Sequence, residues 1–152
     1  MTVPAGPDEL AVLETQISSW LADQLAENPV VLAVEGDVDG PRSWFVRMKG
    51  DEKDVFTLRF WLQQRTLRYE THFMPAPEEN QAQLYQHLLR RNARLYGACF
   101  AIGEEDAVYL HGQLDNTAIT ADELDRVLGS MYAWVEQFFR PAMRIGFQSK
   151  FR

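Results

Sequence analysis

Three histidines, one cysteine and two groups of carboxylates are the side chains of this 152-residue chain that could carry chemistry. His72, His87 and His111 are far apart in sequence. None lies three to five residues from another, and no HExxH is present, so the local spacing of a zinc site is missing. Glu35, Asp37, Asp39 and Gly40 fall at positions one, three, five and six of a calcium loop. Position twelve is Val46, where the loop needs a bidentate glutamate, so an acidic turn is the expected reading. Cys99 sits between Ala98 and Phe100 in an apolar run and is expected to act as a small core hydrophobe. A nucleophilic thiol would want a cationic, partly exposed setting. Glu104, Glu105 and Asp106 follow Gly103 and read as a solvated hairpin tip; working acid/base pairs are held in clefts that separate their pKa values. No serine elbow, P-loop or dinucleotide fingerprint occurs. The expectation is therefore no catalytic residue, no metal ligand and no cofactor.

The aromatic and arginine residues say more. Trp44, Trp61, Tyr69, Tyr96, Phe100 and Tyr109 are spread over segments that read as strands. If helices cover only one face of a sheet, the other face must accommodate Trp61 or Trp44. Arg59 and Arg68 would share a face with Trp61. Trp, Tyr and Arg are favoured where proteins meet, so Trp44, Arg59, Trp61 and Arg68 are the candidate partner-binding residues. An alternative is a small anionic ligand, or an enzyme site assembled in space, at Arg90, Arg91 and Arg94. Three arginines at a helix end also complement the negative end of its dipole without any ligand.

Charge narrows the partner. The net charge is −7, from 22 acids and 15 bases. Of these, 11 acids and four bases precede Val55, and beyond Glu136 only Arg140, Arg144, Lys150 and Arg152 carry charge. An acidic chain repels nucleic acid unless a basic face is concentrated somewhere, so nucleic acid is not the expected partner. No run approaches the roughly 18 apolar residues of a membrane span. MTVPAGPDEL has neither a basic nor an apolar leader region, and a cytoplasmic location is expected. A single cysteine excludes an intramolecular disulfide.

The elements that must position these residues follow from periodicity. Pro7, Asp8 and Glu9 read as a helix start. Leu10, Leu13, Ile17, Trp20, Leu21 and Leu25 then recur at helical spacing to about Glu27. Val30 to Val34 is a short extended run, and Gly36 to Pro41 a turn. Trp44–Met48, Val55–Leu62 and Thr66–Phe73 alternate with period two and are joined by short polar turns, which predicts an antiparallel meander. A second helix is expected from Pro77 to Asn92. An apolar run, Leu95 to Ile102, reads as a central strand, and Ala107 to Leu114 as another. Thr120 and Glu123 have the spacing of a capping box ahead of a third helix that Pro141 would end. Helices segregated from hairpin-linked strands imply an α+β fold with an antiparallel sheet.

Three stretches carry a family resemblance: KDVFTLRFWLQQRTLRYETHFMPAPEEN (53–80), LYQHLLRRNARLYGACFAIGEEDAVYLHGQL (84–114) and ELDRVLGSMYAWVEQFFRPAMRIGF (123–147). With the order of elements, they resemble the bacterial YbjN-like family, described as sensory transduction regulators. The resemblance covers roughly Arg42 to Phe147. It implies a secretion-chaperone-like fold in the order α-β-β-β-α-β-β-α, to which Val30 to Val34 is an addition. Residues 1–147 would form a single domain and 148–152 a basic tail. The family offers no catalytic residues to carry over. The expected function is a non-enzymatic, chaperone-like regulatory module that binds another protein and forms a homodimer.

Overall fold

The computed structural model describes residues 3–36 and 42–151. The chain runs α1 (Pro7–Glu27), β1 (Val31–Gly36), β2 (Ser43–Lys49), β3 (Val55–Leu62), β4 (Thr66–Met74), α2 (Gln81–Asn92), β5 (Ala98–Ile102), β6 (Val108–Asp115) and α3 (Ala121–Gly146). The strands form one six-stranded sheet in the order β1-β2-β3-β4-β6-β5, antiparallel at every pair. The fold is α+β, as the sequence implies. The extended run at Val30–Val34 enters the sheet as its outer strand β1, so the first meander has four strands. The acidic turn around Asp37, Asp39 and Gly40 lies outside the described residues.

The period-two alternation decides the layers. Phe56, Leu58, Phe60 and Leu62 of β3 and Leu67, Tyr69, Thr71 and Phe73 of β4 are buried and share one face. All three helices cover that face. Trp20 of α1 meets Phe60 edge-on at 5.9 Å, and Phe139 of α3 meets Phe73 at 6.0 Å. Tyr85 and Leu88 of α2 border a groove with Phe100 and Val108. Burying this face removes apolar area from water, which supplies most of the folding free energy. Trp20 also keeps its polar atom satisfied: Nε1 donates to Asp125 Oδ1 at 2.8 Å and ties α1 to α3. Glu136 Oε2 accepts from the backbone N–H of Asp51 and Glu52 at 3.0 and 2.8 Å, which ties the β2–β3 turn to α3.

Several expected boundaries move, each for a packing reason. The second helix starts at Gln81, not Pro77, because the N–H groups of Glu78 and Glu79 donate to the Gly146 carbonyl at 3.0 and 2.9 Å. Pro141 does not end α3, which continues to Gly146. The turn after the proline is held by tertiary burial of Ala142 and Phe147, offsetting the lost backbone hydrogen bond. Half of the capping box forms. Thr120 Oγ1 accepts from Glu123 N at 3.1 Å, but the Glu123 carboxylate turns to Arg126, accepting at 3.0 and 2.9 Å. The Leu95 to Ile102 run is not a central strand. Only Ala98–Ile102 is extended, and it lies at the sheet edge, while Tyr96 projects from the preceding loop at 71% exposure beneath Arg126.

Lys53, in the β2–β3 turn, donates to the carbonyls of His72 and Phe73 at 2.8 Å each and lies 5.1 Å from the Phe139 ring centroid. Burial draws its pKa from 10.5 down to about 8. Between those two values the unfolded chain binds more protons than the folded one, so this group's contribution makes stability rise with pH there. Below about pH 8 the cost of the buried charge is fully present. The melting temperature of wild type minus that of Lys53→Met is expected to increase from pH 8 towards pH 10.5. A difference that stays flat over that range would contradict the assignment.

Candidate partner-binding face

Among the described residues no helix covers the other face of the sheet, and the strand register places its side chains in rows. One row crosses all six strands: Glu35, Phe45, Arg59, Glu70, His111 and Cys99. The next runs Ser43, Trp61, Arg68 and Gln113. Trp61 is half-buried between two guanidinium groups. Arg59 lies 4.5 Å and Arg68 5.3 Å from its ring, and Arg59 is also 5.9 Å from Phe45. These distances allow cation–π attraction. Arg59 Nε donates to Ser43 Oγ at 3.3 Å, which fixes one side of the stack on β2. The arrangement offers a flat apolar plate with hydrogen-bond donors on both sides and the Glu70 carboxylate beside it.

Of the four residues expected here, the structure brings together Arg59, Trp61 and Arg68. Trp44 belongs to the opposite face. It is 7% exposed, pairs with Phe60 and shares its side with Val46 and Met48. Phe45 takes its place on the outer face. The alternation already carried this: Val46 and Met48 mark the inward parity of β2, whereas Arg47 and Lys49 share the parity of Phe45.

Cys99 is not a core residue. It is partly exposed on the outer face, with Sγ 3.5 Å from His111 Nε2. The edge position of β5 explains the difference, since only Phe100 of that strand is buried. His72 is exposed on the outer face, edge-on to Tyr109 at 5.4 Å. Partial burial and then the nearby Lys53 charge hold its pKa below the usual histidine value. Among the described residues no group of three or more His, Cys, Asp or Glu side chains is placed to hold a metal ion.

The three arginines of the alternative reading separate. Arg91 and Arg94 border a cleft of about 500 Å³ between α2 and α3, with His87, Trp134, Gln137 and Phe138. Arg90 borders a different groove beside Gln83, Gln86 and Ile145, which Arg91 also borders. His87 is half-buried at the junction of the two. Burial and then the Arg91 charge lower its pKa. The basic tail is tied back: Lys150 Nζ is 3.3 Å from Glu78 Oε1, and Ser149 donates from N and Oγ to Glu79 at 2.9 Å.

A family model described as "Putative bacterial sensory transduction regulator", YbjN, matches residues 12–142. An uncharacterised protein of Mycobacterium tuberculosis is 34% identical over 109 residues, covering 72% of this chain and 60% of that protein. An uncharacterised protein of Mycobacterium leprae is 28% identical over 114 residues, covering 75% of this chain and 62% of that one. The match thus spans about 60% of the length of these curated relatives. Among solved structures, a chain in the crystal structure of the ExsC–ExsE complex superposes with a TM-score of 0.59 at 18% identity. The superposition covers 84% of this chain and 94% of that one, a likeness of fold. No described helix is long and apolar enough to cross a membrane.

Proposed function

The chain belongs to the YbjN family, and we propose from that membership that it is a non-enzymatic regulatory module that binds another protein on the outer face of its sheet. The observation that carries this reading is Trp61 held between Arg59 and Arg68 on a face no helix covers. Such a plate can remove apolar side chains of a partner from water, while the guanidinium groups orient carboxylates or backbone carbonyls. An extended, partly acidic polypeptide segment fits this chemistry better than a compact substrate, because the face is open rather than closed around a reacting group. The fold is shared with a chain crystallised in complex with a second protein, which agrees with a protein partner.

The test is co-purification from the native host. Wild type should retain a partner that Arg68→Glu releases, with the melting temperature of the variant unchanged. A partner retained equally by both would place binding elsewhere.

The module works as a homodimer. Strand β5 is an open sheet edge, and beside it Leu89 and Ile102 are 66% and 54% exposed. They flank an apolar groove with Tyr85, Leu88, Phe100 and Val108. Apolar residues on both sides of an unpaired edge favour pairing with a second copy. Leu89→Arg would place a charge in that contact. Light scattering should then give twice the chain mass for wild type and a single chain mass for the variant. A wild type of single chain mass would refute the dimer.

A further inference from the structure

We propose that the cleft between α2 and α3 binds a small organic anion with a flat apolar body, its head on Arg91 and Arg94 and its ring against Trp134 and Phe138. The site is separate from the outer sheet face and does not depend on the partner reading.

Charge supplies the first argument. The chain carries −7 overall, yet the residues bordering this cleft include no carboxylate. Four bases elsewhere form ion pairs: Arg42 with Glu14, Arg126 with Glu123, Arg140 with Glu52 and Lys150 with Glu78. Among the described residues, Arg91 and Arg94 have neither an ion pair nor a side-chain hydrogen bond. The C-terminal end of α2 accounts for some cationic preference there. It does not account for an imidazole beside them: His87 borders the same cleft, and its Nε2 is buried with no hydrogen-bond partner, which costs free energy.

Shape supplies the second argument. A volume of about 500 Å³ is of small-molecule size. Its charged groups come from α2 and the following loop, and its aromatic wall comes from α3, so head and body would be recognised from opposite sides. A guanidinium pair takes carboxylate and phosphate oxygens with matched geometry. The anion would also offset the Arg91 charge that helps to depress the pKa of His87. The charged groups bordering the cleft with His87 are Arg91 on α2 and Arg94 in the loop; α3 contributes the neutral Gln137 and Trp134.

The experiment titrates the full chain with four probes, followed by amide, indole and imidazole NMR signals. The probes are 1-naphthyl phosphate, 1-naphthoate, the neutral 1-naphthalenemethanol and inorganic phosphate. Both aromatic anions should bind and shift the Trp134 indole and the residues around Arg91 and Arg94. The neutral alcohol and inorganic phosphate should each bind at least about tenfold more weakly. With 1-naphthyl phosphate bound, the His87 titration should move to higher pH. Arg91→Gln combined with Arg94→Gln should weaken binding at least about tenfold with an unchanged melting temperature, whereas Arg90→Gln should leave it unaltered. The proposal is overturned by no saturable shifts with either anion. Shifts centred on Trp61, equal binding of the neutral alcohol, or equal loss with Arg90→Gln would also overturn it.

Discussion

Replacing Trp61 with alanine should release the protein partner while leaving the fold intact. The indole is half-buried and sits on the face away from the core, so its removal opens no internal cavity. What is lost is the plate between Arg59 and Arg68. A central aromatic flanked by arginines has the character of an interface hot spot, where truncation costs about 2–4 kcal/mol. That corresponds to roughly 30- to 1,000-fold weaker binding. The cation–π contacts within the sheet are worth about 0.5–1 kcal/mol at an exposed site, so only a small change in stability is expected. Calorimetric titration with the retained partner and a thermal melt of each protein would separate the two effects. A folded Trp61→Ala protein with unaltered affinity would remove this residue from the interface.

Gly112→Ala should do the reverse, damaging the fold without touching the outer face. Gly112 stands on the inner side of β6, opposite Ala98 of β5 and Tyr69 of β4. A Cβ there would collide with the Gly97 carbonyl oxygen and come within 2.7 Å of the Tyr69 ring. Neither neighbour yields easily. Tyr69 is fully buried, and its hydroxyl donates to that same Gly97 carbonyl at 2.6 Å. Gly97 itself has φ of 75°, a conformation that suits glycine. The added methyl must therefore part β5 from β6 or expel the tyrosine from its hydrogen bond. Overpacking costs about 1–3 kcal/mol, and an unsatisfied buried polar group about 1–3 kcal/mol more. Urea denaturation should show a loss of about 2–6 kcal/mol, the sum of those two effects. A loss below about 0.5 kcal/mol would mean that the packing at this junction is looser than described.

The pattern of β3 and β4 was fully legible, because alternation of period two names both the strand and its two faces. Trp61, Arg59 and Arg68 were therefore found together from spacing alone. Side-chain type favours Trp44 for an interface, but the parity of Val46 and Met48 decides that it points inward. The helical stripes of α1 and α3 were equally plain. What could not be read was set by contacts distant in sequence. Pro141 looks like a helix end, and only the docking of Phe147 and Ala142 keeps the turn beyond it helical. The edge position of β5 depends on β6 pairing with β4, a choice no local pattern encodes. Once β5 is an edge strand, its pairing with β6 leaves Cys99 beside His111 on the outer face.

A protein partner on the helix-free face of the sheet would lie within reach of side chains placed there. Site-specific photo-crosslinking in the native host tests this placement most directly. A photoreactive side chain would replace Gln113, exposed on that face beside Arg68, and in a parallel strain Val12, exposed on α1. The account predicts a discrete polypeptide adduct from position 113, lost when Trp61→Ala is added, and none from position 12. An adduct from position 12 alone, or one from position 113 that persists in the Trp61→Ala background, would contradict it.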